Sequence, residues 1–231
     1  MGQKIRPNSL RLGIIKDWNA RWFPKKGSFK NFLEEDVLIR AIIDKKIGQA
    51  GIAQVLIERS GNSCRILIKA AKPGLIIGRG GKGIENLLNL IKKEIGKLRK
   101  EKKASGQISV SLNIEEIKRS EVSAAVVAQN IAKDLERRMP FRRLIKKYLE
   151  SIMQNREVKG AKIKAAGRLG GAEIARSESL KMGTLPLQTL RTNIDYGQAT
   201  AYTTYGTVGI KVWINKGEVF SGKTEKLEIR K

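Results

Sequence analysis

The chain has 231 residues, 41% of them apolar, enough for one or two domains with their own cores. Its net charge is +25, with no histidine and a single cysteine. These numbers exclude a disulfide within the chain and remove the commonest general base and metal ligand. They call for a polyanionic partner, because such a charge repels itself until something neutralises it. The charge is spread: residues 1–106 hold 24 basic against 9 acidic side chains, and residues 107–231 hold 23 against 13. Both halves are therefore expected to meet phosphate. No apolar run approaches the ~18 residues of a membrane span. Leu12–Ile15 is too short for a signal-peptide core, and a lone cysteine fits a reducing, cytoplasmic setting.

Residues 1–31 read as an arm in which Lys4, Arg6, Arg11, Lys16 and Arg21 interleave with Trp18, Trp22, Phe23 and Phe29. Cations take phosphates and rings stack on bases, so this mixture suits RNA, although the tryptophans equally suit packing on a domain. A domain is expected over 32–116. Glu34, Glu35 and Asp36 open a helix, as the helix dipole prefers, with Val37, Leu38, Ala41 and Ile42 as its buried side and Gly48 as its end. Two strands follow, one alternating at Ala53, Val55 and Ile57, the other at Cys64, Ile66, Ile68 and Ala70. Gly61-Asn62 between them is a hairpin signal. On this pattern Cys64 is a core residue.

A short Pro73–Ile77 segment then leads into Gly78-Arg79-Gly80-Gly81, followed by a helix to about Leu98 with apolar residues at Ile84, Leu87, Leu88, Ile91 and Ile95. Gly-x-x-Gly opening a helix lets a phosphate backbone approach closely. Glycine has no side chain to obstruct it, and the first amides of the helix point at the anion. The expected RNA-binding residues of this loop are Ile77, Gly78, Arg79, Gly80, Gly81 and Lys82. Gly78-x-Gly80-x-x-Gly83 also fits a dinucleotide fingerprint. That reading needs a strand directly before it and an acid about 20 residues on; Pro73-Gly74 and a lysine-rich stretch near position 100 stand there instead. A third strand alternates at Ile108, Val110, Leu112 and Ile114. The order helix-strand-strand-short helix-loop-helix-strand resembles that of a type II KH domain.

A second unit is expected over 117–217, α+β, with two helices packed on a mainly antiparallel sheet. One helix runs from Val122 to Met139 and stops at Pro140. The next carries Phe141, Leu144, Ile145, Tyr148, Leu149 and Ile152 on one side and Arg142, Arg143, Lys146 and Lys147 on the other. With Arg137 and Arg138, six cations fall within eleven residues and no acid intervenes. Helix charges are commonly laced with opposite partners at i+4, so this face points to nucleic acid. Lys162, Lys164 and Arg168 share one face of a strand; Gly167–Arg176 is read as a turn feeding a short helix; strands are expected around Leu187–Tyr196 and Val208–Ile214. Gly217–Thr224 matches the P-loop pattern, but a P-loop must open a long helix inside a parallel sheet, and only seven residues follow Thr224. Residues 218–231 are expected to form a basic, flexible tail.

Several of these stretches together resemble the family of the third protein of the bacterial small ribosomal subunit. They are Met1-Gly2-Gln3-Lys4-Ile5 with Pro7-Asn8, Arg11-Leu12-Gly13, Pro73–Gly78, Leu135–Arg138 with Phe141–Arg143, Gly167–Arg176, Leu190-Arg191 with Ile194–Tyr196, and Thr203–Gly206 with Lys211–Trp213. The resemblance implies a structural protein of the subunit head that binds small-subunit rRNA and neighbours the proteins numbered ten and fourteen. It also implies contact with mRNA at the entry channel through Arg137, Arg138, Arg142, Arg143, Lys146 and Lys147, helping to open mRNA structure without nucleotide hydrolysis. Contact with rRNA is expected at Lys4, Arg6, Arg11, Lys16, Arg21, Lys162, Lys164, Arg168, Arg176 and Arg191. No cofactor, nucleotide or membrane is implied. The rival readings are a free regulatory KH protein that binds single-stranded RNA and a nuclease or DNA-lyase; for the latter no carboxylates stand at metal spacing.

Overall fold

In the computed structural model, which describes residues 4–24, 28–61, 63–101 and 109–220, the chain divides into two units. Residues 19–118 form one; the residues up to Trp18, with those from Arg119 onward, form the other. The basic and aromatic arm is thus not a piece of its own. A short helix α1 (Pro7–Leu10) belongs to the unit of the C-terminal half, whereas Trp22 packs on Phe29 and Phe32 of the 19–118 unit, 5.6 and 5.7 Å between ring centroids.

The 19–118 unit runs β1 (Ala20–Arg21), α2 (Phe29–Ile47), β2 (Ile52–Ser60), β3 (Ser63–Ala70), α3 (Pro73–Ile77), α4 (Lys82–Glu101) and β4 (Ser109–Glu116). Its sheet has the order β1-β2-β3-β4. The hairpin pairs Ser60 with Ser63 antiparallel, and β4 lies parallel to β3 with Val110 opposite Cys64. Asn62 and Ile108 lie outside the described residues. The alternation expected of β3 holds: Cys64, Ile66, Ile68 and Ala70 are all buried. They share a core with Leu87, Ile91 and Ile95, which recur every fourth residue of α4 and so form one stripe.

The α2 helix differs from its expectation in start and phase. It begins at Phe29, five residues before Glu34, and buries Ile39, Ile43 and Ile47. Val37 and Ala41 face solvent, and Leu38 and Ile42 are half-buried. The reason is that Glu35 and Asp36 are not dipole partners at a helix start. Both are buried, and Arg59 holds them, Nη1 to Glu35 and Nη2 to Asp36 at 2.5 Å each. Arg99 donates its Nε to Glu35 at 2.7 Å and Trp22 its indole N–H to Asp36 at 2.8 Å. Burying that pair turns the face at i, i+4 and i+8 from Glu35 inward, and the isoleucines follow.

In the other unit, α5 (Ala124–Glu136) and α6 (Phe141–Met153) cover one face of an antiparallel sheet. Its strands are β5 (Gly160–Gly167), β6 (Arg176–Gly183), β7 (Thr192–Thr203) and β8 (Gly206–Glu218), in the order β6-β5-β8-β7. Ile163, Ala165, Ile210, Val212 and Ile214 pack against Ala128, Ile131, Leu144, Ile145, Leu149 and Ile152. A Cβ on Gly197 would stand 2.3 Å from the Ala124 carbonyl, so glycine alone lets α5 lie on β7 there. Asp195 caps the same helix from a distance, accepting the Ala124 N–H at 3.1 Å. Burial alone would raise the Asp195 carboxyl, but Lys216, Lys16 and backbone N–H groups outweigh it, and its pKa falls below the ordinary value.

The segment after β5 is not a turn feeding a helix. A single 3-10 turn, Leu169–Gly171, and a bend at Glu173-Ile174 lead into β6. Residues 187–191 precede β7 rather than form it, and Arg11 holds the Leu187 and Thr189 carbonyls there. That side chain is wholly buried and donates to the carbonyls of Thr192 (2.6 Å), Thr189 (2.9 Å), Leu187 (3.0 Å) and Pro7 (3.2 Å). Arg11 therefore anchors the N-terminal segment and has no surface to offer RNA, contrary to the expectation.

Candidate nucleic-acid interface

The glycine loop sits between α3 and α4. Ile76 is buried in the core and pins the loop's entry; Ile77 is partly exposed. Gly78, Gly80 and Gly81 have φ of 68°, 61° and 79°, so the chain turns through left-handed conformations that side chains disfavour. Gly83 serves a different end: a Cβ there would lie 2.4 Å from the Ile76 carbonyl, so its absence lets α4 start against α3. Arg79 and Lys82 are exposed at the N-terminal end of a 20-residue helix, where first-turn amides and dipole favour an anion. The groove beside them, about 320 Å³, is lined by Leu75, Ile76, Leu87 and Leu90 with Ile47 and Ala50.

The second concentration of charge is the α5–α6 connection. Because Leu144, Ile145, Leu149 and Ile152 face the core, Arg142, Arg143, Lys146 and Lys147 must face outward, and all four are exposed, as are Arg137 and Arg138. Arg138 has φ 63°, the one left-handed residue other than glycine among the described residues. Some lacing exists, two pairs at helical spacing just outside the run and one over a long distance. Arg142 donates to Glu178 of β6 at 3.0 and 3.2 Å, Arg137 lies 4.0 Å from Asp134, and Lys146 lies 3.9 Å from Glu150. The Glu178 contact raises the Arg142 pKa and lowers that of the carboxyl. Arg138, Arg143 and Lys147 have no carboxylate within 4 Å among the described residues.

The remaining expected contacts separate by what already holds them. Lys4 and Arg6 are exposed on the N-terminal segment. Lys16 is half-buried, donates to Asn8 at 2.9 Å and lies 3.6 Å from Asp195; burial lowers its pKa against that carboxylate's pull. Arg21 pairs with Glu58 at 3.2 Å, Arg176 with Glu178 at 3.7 Å and Arg191 with Glu218 at 2.7 Å. Arg168 lies just past β5 and closes its own loop, donating to the carbonyls of Ala172 and Tyr205 at 3.0 and 3.3 Å. Lys162 and Lys164 point to the sheet face away from the helices. Sequence reasoning did not place Lys181 and Lys211 with them. For Lys211 the signal was its place between Ile210 and Val212 of the expected strand; β6, which carries Lys181, has no alternation of burial to read.

Of the P-loop match, Gly217 and Glu218 end an antiparallel strand, Val219 and Phe220 follow it without opening a helix, and residues 221–224 lie outside the described residues. Among the described residues no cluster of acids and cysteine is placed to hold a metal ion, and no helix is long and apolar enough to cross a membrane.

A glycine loop held between two helices, over a sheet in which β4 returns parallel to β3, defines a KH-type protein, the module that clamps nucleic-acid backbone. The model of the KH domain matches residues 38–122, and that of the C-terminal domain of ribosomal protein S3 matches residues 131–214. The chain is 49% identical to small ribosomal subunit protein uS3 of Clostridium novyi, over 99% of its length and 98% of that protein's. It is 48% identical to the uS3 of Finegoldia magna, over 98% and 88% of the two chains, and 49% identical to that of Campylobacter curvus, over 95% and 89%. The chain belongs to the small ribosomal subunit protein uS3 family, which groups it with ribosomal proteins rather than with enzymes.

Proposed function

We propose that this protein is a structural constituent of the head of the small ribosomal subunit, ribosome-bound in the cytoplasm. It holds small-subunit rRNA through both units, contacts the neighbouring proteins ten and fourteen, and lines the mRNA entry channel with Arg137, Arg138, Arg142, Arg143, Lys146 and Lys147. The observation that carries the channel assignment is the outward row of α6. Four cations stand opposite a fully apolar face, two of them without a carboxylate partner among the described residues. Such a row grips phosphates whatever the base sequence. Each strand of an entering duplex is held as it frays, so re-annealing is opposed and the motor's advance is not reversed. No hydrolysis by this chain is needed. The glycine loop, with Arg79 and Lys82, holds an RNA backbone at a second place.

The test is translation by ribosomes reconstituted with Arg142→Glu and Arg143→Glu together. Messages with a stable hairpin should slow several-fold relative to unstructured ones. Equal passage through both kinds of message rejects the channel role. A protein found chiefly outside ribosomal particles would favour instead a free KH regulator of single-stranded RNA.

A further inference from the structure

We infer that the face of the C-terminal sheet turned away from α5 and α6 is a platform for single-stranded RNA, a site additional to the glycine loop and the α6 row. The inference deepens the proposed function and rests on it: Lys162 and Lys164 are expected to meet rRNA there, and the inference adds the kind of strand and the two rings that take it. The pairing register fixes its composition. Lys162 of β5 stands opposite Lys181 of β6 and Trp213 of β8, and Trp213 stands opposite Tyr196 of β7. One row along, Lys164 stands opposite Lys211. Residues directly opposite share a face, so four lysines and two aromatic rings line up across four strands. The other positions of these rows and the next are serine, alanine, glycine, threonine and glutamine, with no acid among them. The chain as a whole has 22 acids against 47 bases; these rows hold four bases and no acid.

The apolar core lies on the opposite face, under α5 and α6. Two rings on the outer side are thus not needed to fill the core. Tyr196 and Trp213 pack 5.5 Å apart at an interplanar angle of 49°, and the Lys162 ammonium lies 5.8 Å from the Trp213 ring centre. Both rings keep partial exposure. This is the chemistry of single-strand recognition: rings accept unstacked bases, and flanking cations track the backbone. A duplex hides its base faces and would use the lysines alone. An acidic protein surface would be met by the lysines but gives the two rings no comparable role.

The test uses the purified full-length protein and a fluorescent, unstructured twelve-nucleotide RNA, with a hairpin RNA of equal charge as control. Lys162, Lys164 and Lys211 are changed together to Gln, and separately Trp213→Leu and Trp213→Tyr are made, each checked for an unchanged melting curve. Should Trp213→Leu fail to fold, the lysine variant and Trp213→Tyr still decide. The lysine variant should weaken single-strand binding at least tenfold near 0.1 M salt and reduce the salt slope by about 2, three phosphate contacts at ~0.7 each. Trp213→Leu should weaken the single strand and leave the hairpin unchanged, and Trp213→Tyr should restore most of the loss. Unchanged affinity and slope in the folded lysine variant overturn the inference, as does equal loss for single strand and hairpin on Trp213→Leu. The Arg142→Glu, Arg143→Glu protein, measured alongside, reports on the α6 row independently: a failure there leaves the sheet result standing, and the reverse holds.

Discussion

Each unit buries an arginine, and the two are satisfied in opposite ways. In the 19–118 unit, Arg59 meets two carboxylates, Glu35 and Asp36, with the Phe32 ring 4.9 Å from its guanidinium. In the other unit, Arg11 meets four backbone carbonyls and, among the described residues, no carboxylate. Burial favours neutralising a charge, yet guanidinium does not deprotonate in proteins, so each must be solvated by the protein itself. Arg59 does so with formal charge, and its pKa rises although burial alone would lower it. Arg11 does so with dipoles, and its pKa falls with burial. Counting basic residues in a basic protein therefore overstates the charge available to RNA. Some of it is mortar.

The largest effect should come from breaking the first arrangement. Arg59→Leu leaves Glu35 and Asp36 buried, with Arg99 still on Glu35 and the Trp22 N–H still on Asp36. Removing one partner of a buried pair costs about 3–5 kcal/mol. Denaturant unfolding of the full chain should show the 19–118 unit melting first, and a variant as stable as the parent would mean that water reaches the acids freely. Arg11→Met should cost less, roughly 1–3 kcal/mol, because carbonyls left without a donor are neutral and the buried charge disappears with the side chain. Its RNA affinity should keep the parent's salt slope. Arg6→Gln, a change at an exposed cation of the same segment, should lower that slope without touching stability. If Arg11→Met instead flattens the slope while the protein stays folded, Arg11 reaches phosphate after all.

The same contrast explains what was legible in the sequence. Elements with one clean period could be read: Cys64–Ala70 alternates, and Leu87, Ile91 and Ile95 recur at helical spacing, so the KH order and the α6 face followed from local pattern. Elements whose residues are committed over long distances could not. Glu35 and Asp36 look like the start of a helix until Arg59, 23 or more residues on, is known to bind them. Arg11 looks like a phosphate ligand because its partners lie 176 or more residues away at Leu187, Thr189 and Thr192. The β6 strand was missed because it is an edge strand with exposed residues on both faces, which blurs the alternation of burial. At the candidate site, the cations of α5–α6 were visible as a run, but Glu178 reaching Arg142 from β6 was not.

The smallest effect concerns backbone rather than charge, and it separates scaffold from site at one residue. Arg138 is held at φ 63° in the turn that joins α5 to α6, its amide donating to the Leu135 carbonyl at 2.9 Å. An L-residue there costs roughly 1–2 kcal/mol relative to glycine, which adopts the conformation freely. Glycine ends helices in this geometry so often that an arginine in its place is a departure in need of a cause. No carboxylate among the described residues supplies one. Arg138→Gly should therefore raise the melting temperature of the unit by a few degrees, since about 1 kcal/mol moves Tm by that much in a domain of this size. The same protein should bind RNA more weakly and lose close to one contact's worth of salt slope. Arg138→Lys keeps charge and strain together and should leave both properties near the parent. Stabilisation by glycine without loss of RNA affinity would make Arg138 an accident of the turn. A loss of affinity with a gain in stability is the signature of strain kept for the sake of binding.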